Sequence, residues 1–319
     1  MKPIFIATRG SALALAQASL ILNHCQASFP GRKFELKIIK TTGDKLQTLS
    51  PAASNPEGGK GLFTKELESA LLDGEAGLAV HSLKDLPTEL PPGLELGAAP
   101  LRGDARDVLI YRGVRGTLRG MNPGSGIQEF APGAAIATSS TRRQAQLLAL
   151  RPDLKIIPIR GNVGTRLQRL SERAELDGLV LALAGLHRLS FEIDVNGALH
   201  GEGVPRDLFA KPFEVGEMLP CVGQAALGIE IRTGDAEIGD ICRGLNHPET
   251  ESCVIAERAF LRGMGGGCLS PVAAFGTVEN DSLRLRAVSF RGGPARKAEG
   301  RGSLSEATAL GELLARELA

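Results

Sequence analysis

Short apolar runs alternate with stretches of helical spacing through the first two thirds of the chain, and a sequence patterned this way has few folds open to it. Ile4 to Ala7 reads as a buried strand, and Ser11 caps a helix whose apolar positions Leu13, Ala16, Leu20 and Ile21 follow. Glu35 to Thr41 reads as a second strand. Phe63, Leu67, Ala70 and Leu71 then recur at i, i+4, i+7 and i+8, an amphipathic helix that precedes a strand starting at Leu78 to Val80. Val108 to about Arg188 repeats the alternation. Strands alternating with helices predict mostly parallel sheets with covered faces, hence an α/β protein.

Three runs in the second block share a feature that ordinary core strands lack. Ala134 to Thr138 leads to Arg142 and Arg143, Lys155 to Ile159 leads to Arg160 and Arg166, and Leu179 to Ala184 leads to Arg188. As adjacent parallel strands they would bring these arginines to one crevice at their carboxyl ends, where open α/β sheets bind ligands. A guanidinium gives a carboxylate two parallel charge-assisted hydrogen bonds and stays charged at working pH. One arginine alone is more often a surface ion-pair partner. The repeated placement is what points to a ligand with several carboxylates. Ser139, Ser140 and Thr141 precede the helix of Arg142 and Arg143, so hydroxyls, free N–H groups and the helix dipole would face the same anion.

Lys84 and Asp85 follow the strand at Leu78 to Val80 through His81 and Ser82. Asp85 could serve as a cap or turn residue, but in a cationic crevice one carboxylate can move protons or offset a cationic intermediate. His81, against an apolar strand, reads as structural. Gly265, Gly266 and Gly267 place Cys268 on a turn that suits an incidental thiol, a covalent attachment point or a nucleophile. Gly58-Gly59-Lys60-Gly61 lacks the spacing of a phosphate-binding loop, and Leu62 and Phe63 stand where Ser or Thr would hold magnesium.

Composition narrows the partners. The 319 residues suggest two or three domains, and 37 basic against 36 acidic side chains leave a net charge of +1. No global field draws such a chain to nucleic acid or membrane. Met1 to Thr8 is a short strand leading to Arg9, without the features of a secretory signal or a span of roughly 18 apolar residues, so a cytoplasmic protein is expected. Five widely spaced cysteines with no Cys-x-x-Cys pair argue against structural zinc and a disulfide framework. Gly43 to Gly61 reads as a loop and candidate lid. Gly113 to Gly133 and Glu192 to Phe213 lack periodicity and read as surface insertions or connections. Cys221 to Ile231 is strand-like or helical. The remainder, Thr233 to Ala319, shows a helix around Cys253 to Leu261, alternation at Ser282 to Val288 and a last helix with Leu310, Leu313, Leu314 and Leu318, a small α+β unit.

Seven segments together closely resemble the porphobilinogen deaminase (hydroxymethylbilane synthase) family. They are Ala7-Thr8-Arg9-Gly10-Ser11, Gly58-Gly59-Lys60-Gly61-Leu62-Phe63, His81-Ser82-Leu83-Lys84-Asp85-Leu86-Pro87, Thr138-Ser139-Ser140-Thr141-Arg142-Arg143-Gln144, Arg160-Gly161-Asn162-Val163-Gly164-Thr165-Arg166-Leu167, Ala184-Gly185-Leu186-His187-Arg188-Leu189 and Gly266-Gly267-Cys268-Leu269-Ser270-Pro271. They fall in family order across nearly the whole chain. The resemblance implies two α/β domains of periplasmic-binding-protein type II, 1–102 with about 214–232 and 103–213, and a small α+β domain, 233–319. It implies a transferase of tetrapyrrole and heme biosynthesis, a cytoplasmic monomer. A dipyrromethane cofactor joined to Cys268 by a thioether would prime the coupling of four porphobilinogen units, with ammonia lost at each step and hydroxymethylbilane released by hydrolysis. Asp85 would be the catalytic carboxylate. Arg9, Ser11, Lys84, Thr138, Ser140, Arg142, Arg143, Arg160, Arg166 and Arg188 would bind cofactor and substrate side chains, and no metal is implied.

Two readings from other classes meet obstacles. A non-catalytic periplasmic anion-binding protein would need export and would leave Cys268 and a third domain without a role. A nucleic-acid binder calls for a basic balance and stacking aromatics, against a net charge of +1, no Trp and one Tyr.

Overall fold

The structure is a computed structural model that describes residues 2–41, 64–113, 124–266 and 270–319. The candidate lid at Gly43 to Gly61, part of the insertion at Gly113 to Gly133, and Cys268 lie outside the described residues. The first lobe begins with β1 (Ile4–Arg9), α1 (Ala12–Ser28), β2 (Phe34–Ile39), α2 (Lys65–Leu72), β3 (Leu78–Ser82) and β4 (Leu94–Ala98). The second holds β5 (Asp107–Arg112), β6 (Ala135–Ala137), α3 (Thr141–Leu150), β7 (Lys155–Ile157), α4 (Val163–Glu172), β8 (Gly178–Ala182), α5 (Leu183–Arg188), β9 (Glu192–Ile193), β10 (Leu199–His200) and β11 (Leu208–Pro212). The chain then returns to the first lobe as β12 (Leu227–Arg232) and α6 (Ala236–Leu245). A third unit consists of α7 (Pro248–Gly263), β13 (Val272–Glu279), β14 (Ser282–Ser289), β15 (Arg296–Ser303) and α8 (Ala307–Leu318).

The two lobes carry five-stranded sheets in the orders β2-β1-β3-β12-β4 and β11-β5-β8-β6-β7. β6 pairs in parallel with both β7 and β8, so the three arginine-terminated runs are neighbouring parallel strands. As the alternation predicts, each sheet is mostly parallel: four of its five strands run the same way and one is reversed. β12 runs antiparallel to β3 and β4, and β5 antiparallel to β8 and β11. Each reversed strand is the first one formed after the chain crosses between lobes. Asp107 at the start of β5 faces Ala182 at the end of β8, and Leu227 at the start of β12 faces Ser82 at the end of β3. The chain enters each lobe beside the strands' carboxyl ends, so the entering strand must run away from them.

Helices cover both faces of each sheet. In the first lobe α1 and α6 share one core with β1, β3 and β12 through Ile21, Cys25, Ile238 and Ile241, while Leu67 and Leu71 of α2 pack on the other face. The helix α6 was expected in the third unit; its four buried positions, Ile238, Ile241, Cys242 and Leu245, place it in the first lobe's core instead. The span Glu192 to Phe213, expected to lack regular structure, contains β9, β10 and the edge strand β11. Two of these are too short to show a period, and Pro212 ends the third at a sheet edge, where a missing N–H costs least. Cys221 to Ile231 resolves into a turn followed by β12. In the third unit, Leu283 and Leu285 on one face of the antiparallel meander pack against Ala256 and Phe260 of α7 and Leu310 and Leu314 of α8.

Glu257 of α7 ties the three units together. Fully buried, it accepts two hydrogen bonds from the Arg102 guanidinium, at 2.6 and 3.2 Å, and one each from the backbone N–H groups of Gly223, at 2.7 Å, and Gly276, at 2.8 Å. Arg102 belongs to the outward crossing, Gly223 to the return crossing, and Gly276 to β13. Removing one partner of a buried pair strands the other charge. Glu257→Gln should therefore destabilise the protein by about 3–5 kcal/mol, read as a lower urea midpoint at unchanged slope.

Candidate active site

Asp85 and Lys84 sit on a single 3₁₀ turn, Leu83–Asp85, at the end of β3. The turn is pinned from three sides. The Leu83 N–H donates to the Ala226 carbonyl at 3.1 Å and the Leu86 N–H to the Leu83 carbonyl at 3.2 Å. Gly223 has φ +70°, and a Cβ there would lie 3.1 Å from both the Leu83 carbonyl carbon and the Lys84 nitrogen, so only glycine fits behind the turn. From the third unit, the buried Arg258 donates to the carbonyls of Leu86 at 3.2 Å and Pro87 at 2.6 Å. Burial pushes the Arg258 guanidinium down to about 10. Beneath the strand, His81 Nε2 lies 2.9 Å from a carboxylate oxygen of Glu230, both side chains withdrawn from solvent.

Around this turn is a cavity of ≈ 170 Å³ lined by Lys84, Asp85, Ser140, Arg142, Arg143, Cys221 and Gln224, with Leu261 and Ser270 from the third unit. Arg142 and Arg143 are buried in its wall, and most of their donors go to the protein itself. Asp107, fully buried, meets Arg142 through Nη1 at 2.7 Å and Nη2 at 3.1 Å, and Arg143 through Nε at 2.8 Å. Gln224 adds a bond to Asp107 at 3.1 Å and another to the Ala105 carbonyl at 2.7 Å. Arg142 also donates to the Leu219 carbonyl and Arg143 to that of Val180. Burial would raise the Asp107 carboxyl, but Arg142 and Arg143 outweigh it and hold the group down at about 2. Among the described residues, Arg142 Nε is buried without a hydrogen-bond partner.

The remaining residues named from sequence divide by position. Ser140 caps α3, its Oγ accepting from the Arg143 N–H at 3.4 Å, and Thr138 Oγ1 accepts from the Ser140 N–H at 3.2 Å. Ser139 points elsewhere, bonding both the carbonyl and the N–H of Ile159. Arg166 donates to the Gly161 carbonyl at 2.7 Å; burial and the positive charges of Arg143 and Arg169 push its pKa down, while Asp85 opposes them. That balance places Arg166 within the field of the Asp85 turn. Ser11 caps α1, and Arg9 closes β1 at the same end of the first sheet. Arg160 is exposed beyond β7, its carbonyl accepting from Arg169. Arg188 stands apart. It lines a separate cavity with Leu20, His24 and His187, and donates to the Ala225 carbonyl at 2.5 Å on the return crossing.

The chemistry of this donor set fits a dipyrromethane. Each pyrrole ring brings carboxylate side chains; Lys84, Arg166 and the spare Arg142 Nε offer charge, and Asp85 offers an acceptor for ring N–H groups. Cys268 is outside the described residues, but Leu261 before it and Ser270 after it both line the Asp85 cavity. The other cysteines make poor attachment points. Cys25, Cys242 and Cys253 are buried, and burial pushes each thiol up to about 12. Cys221 faces the cavity half-buried and is hydrogen-bonded to Gln224. Asp107, Gln224, Glu257 and Arg258 were not among the residues singled out from sequence. For the last two the signal was legible: a Glu-Arg pair inside Ala256 to Phe260, where helical spacing assigns both to the core.

Two α/β lobes and a third unit that reaches the same charged cavity define a three-part α/β protein with one cleft shared by all its parts. Residues 4–240 match the family described as porphobilinogen deaminase, dipyromethane cofactor binding domain, and residues 251–319 match the porphobilinogen deaminase C-terminal domain. A porphobilinogen deaminase of Thermus thermophilus is 43% identical over 100% of this chain and 96% of its own length. That of Desulforudis audaxviator is 45% identical over 98% and 93%. The chain belongs to the porphobilinogen deaminase family.

Two predictions concern the supports of the cavity. Asp107 binds its proton less readily folded than unfolded, so its pairs contribute stability that is complete above about pH 5 and lost as pH falls through about 2. Asp107→Asn should cost about 3–5 kcal/mol at neutral pH and flatten the acid limb of the stability curve below pH 4, followed by urea titrations across pH. Arg258→Lys keeps a cation but cannot bridge two carbonyls with a rigid fork. It should lower kcat by up to about 100-fold with little change in KM, measured on protein that carries its dipyrrole.

Proposed function

We propose that the cavity at Asp85 is where this chain carries out the reaction of its family, the stepwise deamination and head-to-tail coupling of four porphobilinogen units in tetrapyrrole biosynthesis. The observation that carries the assignment of roles is the placement of one exposed carboxylate, Asp85, in a cavity whose other charged lining residues are Lys84, Arg142 and Arg143, and which Leu261 and Ser270, before and after Cys268 in the chain, also line. When bound, the dipyrromethane on Cys268 supplies the terminal ring to which the first unit is joined.

The chain's own residues do the rest. Lys84 and Arg166 hold carboxylate side chains, with Arg9 and Arg160 engaging incoming or already coupled units, while Arg188, in a separate cavity, supports the return crossing through Ala225. Ser11, Thr138 and Ser140 preserve the caps and turns that present these groups. As the aminomethyl C–N bond breaks, its electron pair leaves with nitrogen and the substrate ring becomes an electron-poor azafulvene. Asp85 offsets that positive charge and holds the pyrrole N–H; when the new carbon–carbon bond forms, it can accept the proton released from the attacked ring position. Arg142 and Arg143, fixed by Asp107, keep a constant positive potential on the wall, and Arg142 Nε remains for a carboxylate of the bound dipyrrole. In this reading the protein acts as a cytoplasmic monomer on a free small molecule, without nucleic acid or membrane.

Cys268→Ala should yield protein of unmodified mass that makes no bilane, while Cys221→Ala should keep its dipyrrole. An adduct surviving on the Cys268 variant would move the attachment elsewhere. Asp85→Asn retains shape and reach but loses charge and basicity. Turnover should fall at least about 100-fold in protein of normal fold and full cofactor content, and a rate within a few-fold of the parent would leave the carboxylate a merely structural part.

A further inference from the structure

A second and larger cavity, ≈ 520 Å³, lies between the last turns of α3, the segment 215–219 and the outer face of the third unit's sheet. Its walls are largely apolar, with Leu150, Val215, Val288 and Phe290 among them. The volume is in the range that holds small organic ligands, roughly 300–1,000 Å³.

The charges on that sheet face do not balance. In register, Arg284 pairs with Arg301, Arg286 with Glu299 and Val288 with Lys297, so these side chains share the face opposite the Leu283 and Leu285 core. Arg284 is held by Glu299 at 2.8 and 3.0 Å and reaches Glu279 at 3.5 Å, and Arg301 takes Glu279 at 3.0 Å. The two carboxylates of the face are thereby committed. Glu217, on the opposite wall, accepts the Glu214 N–H at 3.0 Å. Arg286 and Lys297 line the cavity with no carboxylate at ion-pair distance among the described residues, and Arg286 Nε is buried with no hydrogen bond. The Arg286 guanidinium does rest 5.8 Å from the Phe275 ring centroid, a contact that leaves its N–H edge free. A partly desolvated guanidinium facing an apolar hollow is costly unless an anion completes it.

We propose that this cavity is a second binding site, distinct from the Asp85 cavity, for a small aromatic carboxylate whose ring packs on Leu150 and Val288 and whose charge is met by Arg286 and Lys297. The ligand bridges the second lobe and the third unit. It also touches the segment whose Leu219 is held by Gln146 and Arg142, but lies outside the catalytic cavity.

The test uses the full-length holoenzyme and 5-fluoroisophthalate as probe, titrated by fluorine NMR with the catalytic cavity both free and saturated with porphobilinogen. The parent should bind the probe equally in both states. Arg286→Gln with Lys297→Gln should weaken binding at least about 10-fold while leaving kcat for porphobilinogen unchanged, as expected for losing charge-assisted hydrogen bonds. Ala149→Leu narrows the hollow without touching either cation and should weaken the probe as well. The proposal is overturned if the parent does not bind the probe, if both variants bind it as the parent does, or if porphobilinogen displaces it.

Discussion

A buried carboxylate must be paired, and Asp107 is paired twice. It opens the strand by which the chain enters the second lobe, which puts it at the carboxyl ends of the parallel strands, where Arg142 and Arg143 begin α3. Two neighbouring guanidiniums would repel one another in a desolvated wall; the carboxylate between them makes the arrangement affordable and fixes both planes. Gln224 joins Asp107 to the return crossing, so the same contact also locks the two interlobe segments together. Cation placement in the cavity and lobe geometry are thus one constraint.

The helix α7 transmits the third unit's position to the reacting group. Glu257 and Arg258 are consecutive residues facing different parts: one gathers both crossings and β13, the other holds the carbonyls just after Asp85. The helix then runs toward the segment that contains Cys268. A shift of α7 therefore moves the carboxylate turn with the third unit.

Much of the architecture was legible because periodicity is local. Strand, cap and helix recur visibly from Ile4 to Leu20 and from Ala134 to Leu150, and the glycine-flanked Cys268 and the Lys84-Asp85 turn announce themselves by composition. What was not legible depends on direction and partnership. The reversal of β5 and β12 follows from where the chain enters a lobe, which no window of residues records. Arg142 and Arg143 looked as available as Arg166 because their partner, Asp107, lies some 35 positions earlier and nothing marks it as buried. The edge strand β11 leaves little trace in the sequence, since Leu208 and Ala210 supply only two inward positions.

The order of strands in the first lobe bears on how the chain comes together as it is made. β4 has a single sheet neighbour, β12, and β12 is synthesised only after the whole second lobe. Until then β4 has no ladder to join, and its face later covered by α6 stays open. The second lobe, a contiguous span with all its strands local to it, can close on the ribosome first. The first lobe must wait with an unpaired edge, a template for wrong partners, until the return crossing delivers the missing strand.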